Sequence, residues 1–148
     1  CLVGSEMCIR DSMQIGLKVY LVGEVCTPSI REGDLLLVGS GSGETAGMIA
    51  ICKKAKAAGA EVAVFTKNRN STIASIAKVA VQLNTAKPIQ EGAADPDGWI
   101  EGNYFSIRPS GNPFEQSIVI VGDAMVCELM QKTNCGTAKI AYNHANLE

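Results

Sequence analysis

The stretch DLLLVGSGSGET, residues 34–45, constrains the fold more than any other part of the chain. Its first half is an apolar run without polar alternation, which predicts a strand buried on both faces. Its second half alternates glycines with hydroxyl side chains, which predicts a loop that leads into a helix. The stretch therefore predicts a strand, a glycine-rich loop and a helix N-terminus, in that order.

The loop is a candidate anion-binding site, because a helix N-terminus presents unpaired N–H groups and the positive end of the helix dipole. We expect Ser40, Gly41, Ser42 and Thr45 to bind a phosphate group. The loop has neither the lysine of a Walker loop nor the G-x-G-x-x-G spacing of a dinucleotide site. The next predicted strand ends in Thr66 where a ribose-binding acid would stand, which also disfavours NAD. A tight turn with Ser42 as the helix N-cap is the alternative interpretation.

The loop resembles the phosphosugar-binding loop of the sugar isomerase (SIS) domain family. Further motifs resemble the 6-phospho-3-hexuloisomerases within that family: VYLVGE at residues 19–24, TP at 27–28, PSG at 109–111 with FEQ at 114–116, and HANLE at 144–148. The resemblance extends from about Met13 to the last residue. It implies an α/β fold with a doubly wound, mostly parallel sheet in a flavodoxin-like order, from which the first helix and the first strand are missing.

Composition limits the class of protein. The chain has 148 residues, of which 47% are hydrophobic, and a net charge of −2, which suits one domain with its own core. No basic patch suggests nucleic acid, and the longest apolar run is too short and interrupted to cross a membrane. Six cysteines without a C-x-x-C pair favour reduced thiols in the cytoplasm and indicate no metal site.

The first twelve residues, CLVGSEMCIRDS, neither continue the pattern that follows nor resemble the family. We expect residues 1–12 to be a non-native leader of the kind left by sequencing adapters, and residues 13–148 to be a partial SIS domain ending in a polar tail. A divergent native N-terminus is the alternative. The family's Gly-Arg-Ser loop has no counterpart before Met13, and Gln14 replaces a histidine of many relatives. Since the first strand lies centrally in SIS sheets, we expect these residues alone not to form a stable monomer.

Periodicity and turn residues predict the remaining elements: strands at 18–22, 61–65 and 79–83, and helices at 44–58, at 71–77 and from Pro113 onwards. The helix at 44–58 should expose its lysines and bury an apolar stripe. Residues 84–111 should form an active-site flap or a contact between subunits. The helix from Pro113 is apolar nearly all round, so we expect one side to meet a second subunit in a homo-oligomer, a dimer or a tetramer.

Two side chains are the predicted catalytic residues. Isomerisation of a sugar needs a base that moves a proton between adjacent carbons and an acid near the carbonyl oxygen. Glu115 matches the family position of the base, although the spacing from Asn112 equally predicts a capping box. His144 is the only histidine, and its place in the terminal motif implies a role in ring opening or proton transfer at the carbonyl. An idle surface histidine is the alternative.

The resemblance implies an enzyme that converts arabino-hex-3-ulose 6-phosphate to fructose 6-phosphate through an enediol, without metal or cofactor. This reaction belongs to formaldehyde fixation through the ribulose monophosphate pathway. The expected partner is a sugar phosphate, with neither nucleic acid nor membrane. Another SIS-type isomerase, such as one for arabinose 5-phosphate, is a close alternative. A sugar-phosphate-binding module without catalysis is an alternative from a different class.

Overall fold

The computed structural model describes residues 3–85, 113–144 and 146. The chain divides into two units, Ser29–Ser117 and a second unit made of Cys1–Pro28 and Ile118–Glu148. The helices and strands are α1 (Val3–Gln14), β1 (Leu35–Gly39), α2 (Ala46–Ala57), β2 (Glu61–Thr66), α3 (Thr72–Ile76), β3 (Val79–Gln82), α4 (Pro113–Lys132) and α5 (Thr137–Asn143). Alternation of strands and helices confirms the predicted α/β class.

The unit Ser29–Ser117 is built on a parallel sheet with the strand order β1, β2, β3. Helix α2 connects β1 to β2 and α3 connects β2 to β3, and both connections move in the same direction across the sheet. Since such parallel crossovers are right-handed, α2 and α3 cover the same face of this sheet. That face forms the core, in which Val62, Cys52 and Ile73 are completely buried. The remaining buried members of the core are Leu36, Val38, Ala55, Ala60 and Val64.

The opposite face of the sheet is more open than the sequence predicts. Side chains alternate in β1, so Leu36 and Val38 are buried whereas Leu35 and Leu37 are 61% and 49% exposed. The prediction that this strand is buried on both faces is therefore wrong for the described part of the chain. The physical reason is that both crossover helices lie on one side, and alternate strand residues point to the other.

Residues 18–22 do not form the predicted strand. Residues 18–21 have no regular secondary structure and make no ladder hydrogen bonds, and turns follow at 22–23 and 25–26, where Gly23 has a φ of 100°. Thr27 holds this segment through its hydroxyl, which donates to the carbonyl oxygen of Leu21 at 2.5 Å. A strand needs a neighbour to satisfy its backbone groups, and among the described residues no strand lies beside 18–22. The apolar residues of this segment alone were therefore not sufficient to form a strand.

Most other predicted elements are confirmed within a few residues. Helix α2 buries Cys52 and Ala55 and exposes its lysines, and Gly59 ends it with a φ of 85°. Ser71 caps α3, since its hydroxyl accepts a hydrogen bond from the N–H of Ala74. Helix α4 begins at Pro113, the position where a missing N–H costs least.

The unit formed by Cys1–Pro28 and Ile118–Glu148 is helical. Asn143 Nδ2 donates to the carbonyl oxygen of Gln14 at 2.7 Å, which ties α5 to the end of α1. Helix α5 lies beyond Lys132, where the sequence has no clear apolar period and no helix was predicted. The polar tail at the end of the chain stays a prediction.

Some predictions fall outside the described residues. The predicted flap at 84–111 does so from residue 86 onwards, as do Asn112 and the terminal Leu147 and Glu148. The assignment of 1–12 as a leader stays a prediction, and residues from Val3 onwards belong to α1. None of the helices within 3–85 and 113–146 combines the length and apolar character needed to cross a membrane.

Candidate active site

Residues 40–45, here called the glycine loop, lie at the carboxyl ends of β1 and β2. The N–H of Ser40 donates to the carbonyl oxygen of Phe65 at 2.9 Å, and the N–H of Lys67 donates to the carbonyl oxygen of Gly41 at 3.0 Å. The buried hydroxyl of Thr66 also donates to Gly41, at 3.2 Å. The loop is thus fixed to the next strand at the edge of the sheet where parallel α/β folds bind ligands.

Two predicted phosphate-binding hydroxyls stabilise the loop itself. Ser40 is buried and its hydroxyl accepts the N–H of Gly43 at 3.1 Å. Ser42 is half-buried and its hydroxyl accepts the N–H of Glu44 at 3.2 Å. A hydroxyl that accepts a hydrogen bond still carries a proton that it can donate. Both side chains therefore keep a donor with which to bind an anion.

Thr45 is exposed and is the N-cap residue of α2, which corrects the alternative that Ser42 occupies this position. Within the described residues the Thr45 hydroxyl makes no capping hydrogen bond, and the first turn of α2 carries no acidic side chain. Neither the N-cap side chain nor an acidic residue of the first turn therefore caps the N–H groups of this turn. They retain the partial positive charge that favours an anion.

Glu44 behaves differently from its neighbours in the loop, because it turns towards α3. Its carboxylate accepts two hydrogen bonds from Thr72, one from the backbone N–H and one from the hydroxyl, both at 2.7 Å. The carbonyl oxygen of Gly43 accepts the N–H of Ile73 at 3.1 Å. The hydrogen bonds from the Thr72 side chain and backbone lower the pKa of Glu44. The loop is thereby fastened to the first turn of α3.

A cation also lies beside the loop. The Cε atom of Lys67 lies 3.1 Å from the position that a Cβ of Gly41 would occupy, so a larger residue there would displace the lysine. Burial lowers the pKa of Lys67. The ring of Phe114, buried at the start of α4, lies 3.5 Å from the same position. Gly41 is therefore the point at which β2 and α4 both approach the loop.

The predicted catalytic residues differ in what the structure says of them. Glu115 is exposed in the first turn of α4, directly after Phe114, which packs near Gly41. The structure thus brings the start of α4 to the glycine loop. His144 is the exposed C-cap residue of α5 and belongs to the other unit. The roles of both residues stay predictions.

Sequence reasoning missed Lys67 and the pairing of Glu44 with Thr72. A signal existed for Lys67, because it follows β2 directly, just as Ser40 follows β1, and the ends of neighbouring parallel strands meet. For Glu44 the signal was weak. Its partner lies 28 residues further along the chain, and only the turn after β2 brings the two together.

Comparison with known proteins places the chain in a family. Residues 19–95 match the SIS domain. The chain is 35% identical, over 92% of its length, to the 3-hexulose-6-phosphate isomerase of Bacillus subtilis strain 168, of which it covers 69%. The chain belongs to the SIS domain family. The predicted resemblance is therefore confirmed.

Other SIS relatives agree with this assignment. The 3-hexulose-6-phosphate isomerase of Mycobacterium gastri is 36% identical over 97% of the chain, which covers 67% of that protein. The fold matches a crystal structure of a hypothetical protein from Methanococcus jannaschii, which was used to infer 3-hexulose-6-phosphate isomerase function. That match has a TM-score of 0.77 at 26% identity and covers 98% of this chain and 72% of the other.

Proposed function

We propose that this SIS-family chain is an enzyme that isomerises arabino-hex-3-ulose 6-phosphate to fructose 6-phosphate. The observation that carries the proposal is the identity of 35% and 36%, over most of the chain, to relatives named as 3-hexulose-6-phosphate isomerases. The glycine loop supports it physically, because it sits at the ligand-binding edge of a parallel sheet. The ribulose monophosphate pathway is the metabolic setting that follows from this reaction.

We propose that the glycine loop binds the phosphate of the substrate. The first-turn N–H groups of α2 and the hydroxyls of Ser40, Ser42 and Thr45 supply hydrogen-bond donors, and Gly41 lets the anion approach the backbone. Lys67 adds a positive charge beside Gly41. Together these groups offer what a phosphate dianion needs, a set of donors and a cation, without a Walker lysine.

Glu115 is the proposed base. The substrate carries its carbonyl at C3 and the product carries it at C2, so a proton must leave C2 and a proton must arrive at C3. A single carboxylate can do both through a 2,3-enediol if it lies between the two carbons. Its place after Phe114, at the end of α4 that approaches Gly41, supports this role.

His144 is the proposed group for ring opening or for proton transfer at the carbonyl oxygen. Imidazole suits this work, because one ring nitrogen can donate a proton while the other accepts one. A substitution of His144 should lower turnover of the cyclic substrate more than turnover of an open-chain analogue. Equal effects on both substrates would assign it a different role.

We also propose that the chain acts as a homo-oligomer in the cytoplasm. Ile120 on α4 is 68% exposed, which fits an apolar helix face that meets a second copy. The cysteines at 8, 26, 52, 127 and 135 are free thiols, which suits a reducing compartment. Sedimentation of the chain and of Ile120→Glu tests the assembly, and a monomeric parent chain would contradict it.

A direct assay tests the function. The chain is mixed with arabino-hex-3-ulose 6-phosphate, with arabinose 5-phosphate, or with the unphosphorylated hexulose, and the product is identified by NMR. We expect fructose 6-phosphate from the first substrate and no turnover of the other two. Turnover of arabinose 5-phosphate alone would point to the other class of isomerase, and binding without turnover would point to a sensing module.

A further inference from the structure

We infer that Glu44 is a positioning residue that holds the glycine loop in the shape that binds the substrate phosphate. This inference rests on the proposed function. Glu44 precedes the N-cap residue of α2, so the direction of its carboxylate affects the proposed anion site directly. The proposal concerns the fastening of the loop to α3 and assigns Glu44 no contact with the substrate.

The contact between the loop and α3 is made by both backbone and side chain. The two oxygens of Glu44 accept separate hydrogen bonds from Thr72 at 2.7 Å, the short distance typical of charged acceptors. The carbonyl oxygen of Gly43 accepts a third hydrogen bond from Ile73. Two consecutive loop residues thus bind two consecutive residues of α3, which fixes both the position and the direction of the loop.

The N–H groups at the start of α3 are fully used by these contacts. Thr72 donates its N–H to Glu44, Ile73 donates to Gly43, and Ala74 donates to the hydroxyl of Ser71. A helix normally leaves its first N–H groups without partners inside the helix. Here the glycine loop supplies two of the three acceptors, so the N-terminus of α3 binds the loop. The partial positive charge at the N-terminus of α2 stays available to an anion.

Charge explains why an acidic residue is tolerated beside a phosphate site. A free carboxylate next to Thr45 would repel a phosphate and would itself compete for the N-terminal N–H groups of α2. The hydrogen bonds from Thr72 hold the carboxylate on α3 instead. If Glu44 is released, two effects follow: the loop loses its anchor, and the negative charge becomes free to approach the anion site.

The test compares Glu44→Ala, Glu44→Gln, Thr72→Val and Thr72→Ser with the parent chain. Glu44→Gln keeps one acceptor oxygen, and Thr72→Ser keeps the hydroxyl. Glu44→Ala removes both acceptor oxygens, whereas Thr72→Val removes the hydroxyl donor and keeps the backbone N–H that donates to Glu44. Kd for fructose 6-phosphate and for fructose is measured by calorimetry, and KM and kcat are measured by NMR of the isomerisation. Glu128→Gln on α4 is the control, because it removes an exposed carboxylate that belongs to the other unit of the chain.

We expect Glu44→Ala to raise Kd and KM for the phosphosugar severalfold, and Thr72→Val to raise both by a smaller factor, because the backbone hydrogen bond to Glu44 remains. Affinity for fructose and kcat should change far less. Thr72→Ser should restore the parent values, and Glu44→Gln should fall between. A merely structural role would lower Tm and kcat together without this split.

Two failures are distinguishable. If the parent chain neither binds fructose 6-phosphate more tightly than fructose nor isomerises the hexulose phosphate, the proposed function is wrong. If the parent chain does both, and Glu44→Ala retains the parent KM with a folded circular dichroism spectrum, the role of Glu44 is overturned. Thermal melts of every variant show whether a loss of affinity comes from unfolding.

Discussion

Gly43 lies so close to Ser71 that a Cβ on the glycine would overlap the serine side chain. Gly43 also has a φ of 69°, a conformation that L-residues with a side chain seldom adopt. Ser71 is buried and caps α3, so it has little freedom to move away. The glycine in this position is therefore required by the contact between the loop and α3, in addition to any role in binding an anion.

Replacement of this glycine should be costly. Gly43→Ala forces a left-handed conformation that costs about 1–2 kcal/mol, and it overpacks the contact with Ser71 at about 1–3 kcal/mol. Gly47→Ala is the matched control, because Gly47 is helical and no described atom lies within 4 Å of its Cβ position. Thermal and urea melts should show a clear loss for Gly43→Ala and no loss for Gly47→Ala. Equal stability of the two variants would contradict the described loop geometry.

Ser42 should contribute to phosphate affinity. Removing its hydroxyl in Ser42→Ala should weaken fructose 6-phosphate by about 1–3 kcal/mol, the range for a hydrogen bond to a charged group. The affinity for fructose should not change. Calorimetry with both sugars measures this difference, and Thr133→Ala, which removes an exposed hydroxyl in the turn directly after α4, is the control. If the parent chain binds both sugars equally, the phosphate assignment fails.

Lys67 should make phosphate affinity sensitive to alkaline pH. Burial lowers its pKa, so its charge is lost at a lower pH than that of an exposed lysine. Affinity for fructose 6-phosphate should therefore fall as pH rises through this lowered pKa. Lys67→Arg should remove the fall, because arginine stays charged, and Lys67→Met should weaken binding at every pH. Lys78→Met, which changes an exposed lysine paired with Glu61, is the control. An unchanged profile in Lys67→Met would exclude this role.

The protonation of Glu44 at acidic pH should be visible in the NMR signal of the Thr72 amide, which donates to its carboxylate. Because hydrogen bonds lower the pKa of Glu44 in the fold, the stability that they contribute is present above the ordinary glutamate pKa. That stability is lost as pH falls through the lowered pKa. NMR of the Thr72 amide should show a shift with a midpoint below the ordinary value, and Glu44→Gln should abolish it. A midpoint at the ordinary value would mean that the contact is absent in solution.

The sequence predicted those parts of the fold that local chemistry decides. The apolar run at 35–38 and the glycines after it specify a strand and a loop wherever the rest of the chain lies. Ser71 and Pro113 have side chains that favour the first residues of helices, and both predictions were confirmed. The phosphate-binding candidates in the loop were found for the same reason, because all of them are neighbours in the sequence.

The parts that failed depend on distant neighbours. Residues 18–22 have strand-like composition, but a strand exists only where another strand pairs with it. Whether Leu35 is buried or exposed depends on which face of the sheet the helices cover. The residue type at position 35 does not determine this. The same holds for the pairing of Glu44 with Thr72, which needs the turn after β2. Long-range contacts of this kind could not be read from periodicity.

The reaction at Glu115 can be followed by isotope exchange. The chain and Glu115→Gln are each incubated with fructose 6-phosphate in deuterium oxide, and the hydrogen at C3 is monitored by proton NMR. The glutamine variant keeps much of the geometry of the glutamate but cannot accept the proton. Glu128→Gln is the control for loss of a carboxylate on the same helix, and melts of all three chains verify folding.

We predict that deuterium enters C3 with the parent chain and with Glu128→Gln, and that Glu115→Gln leaves C3 protonated at an unchanged melting temperature. A folded parent chain that binds fructose 6-phosphate but incorporates no deuterium would contradict isomerisation through an enediol.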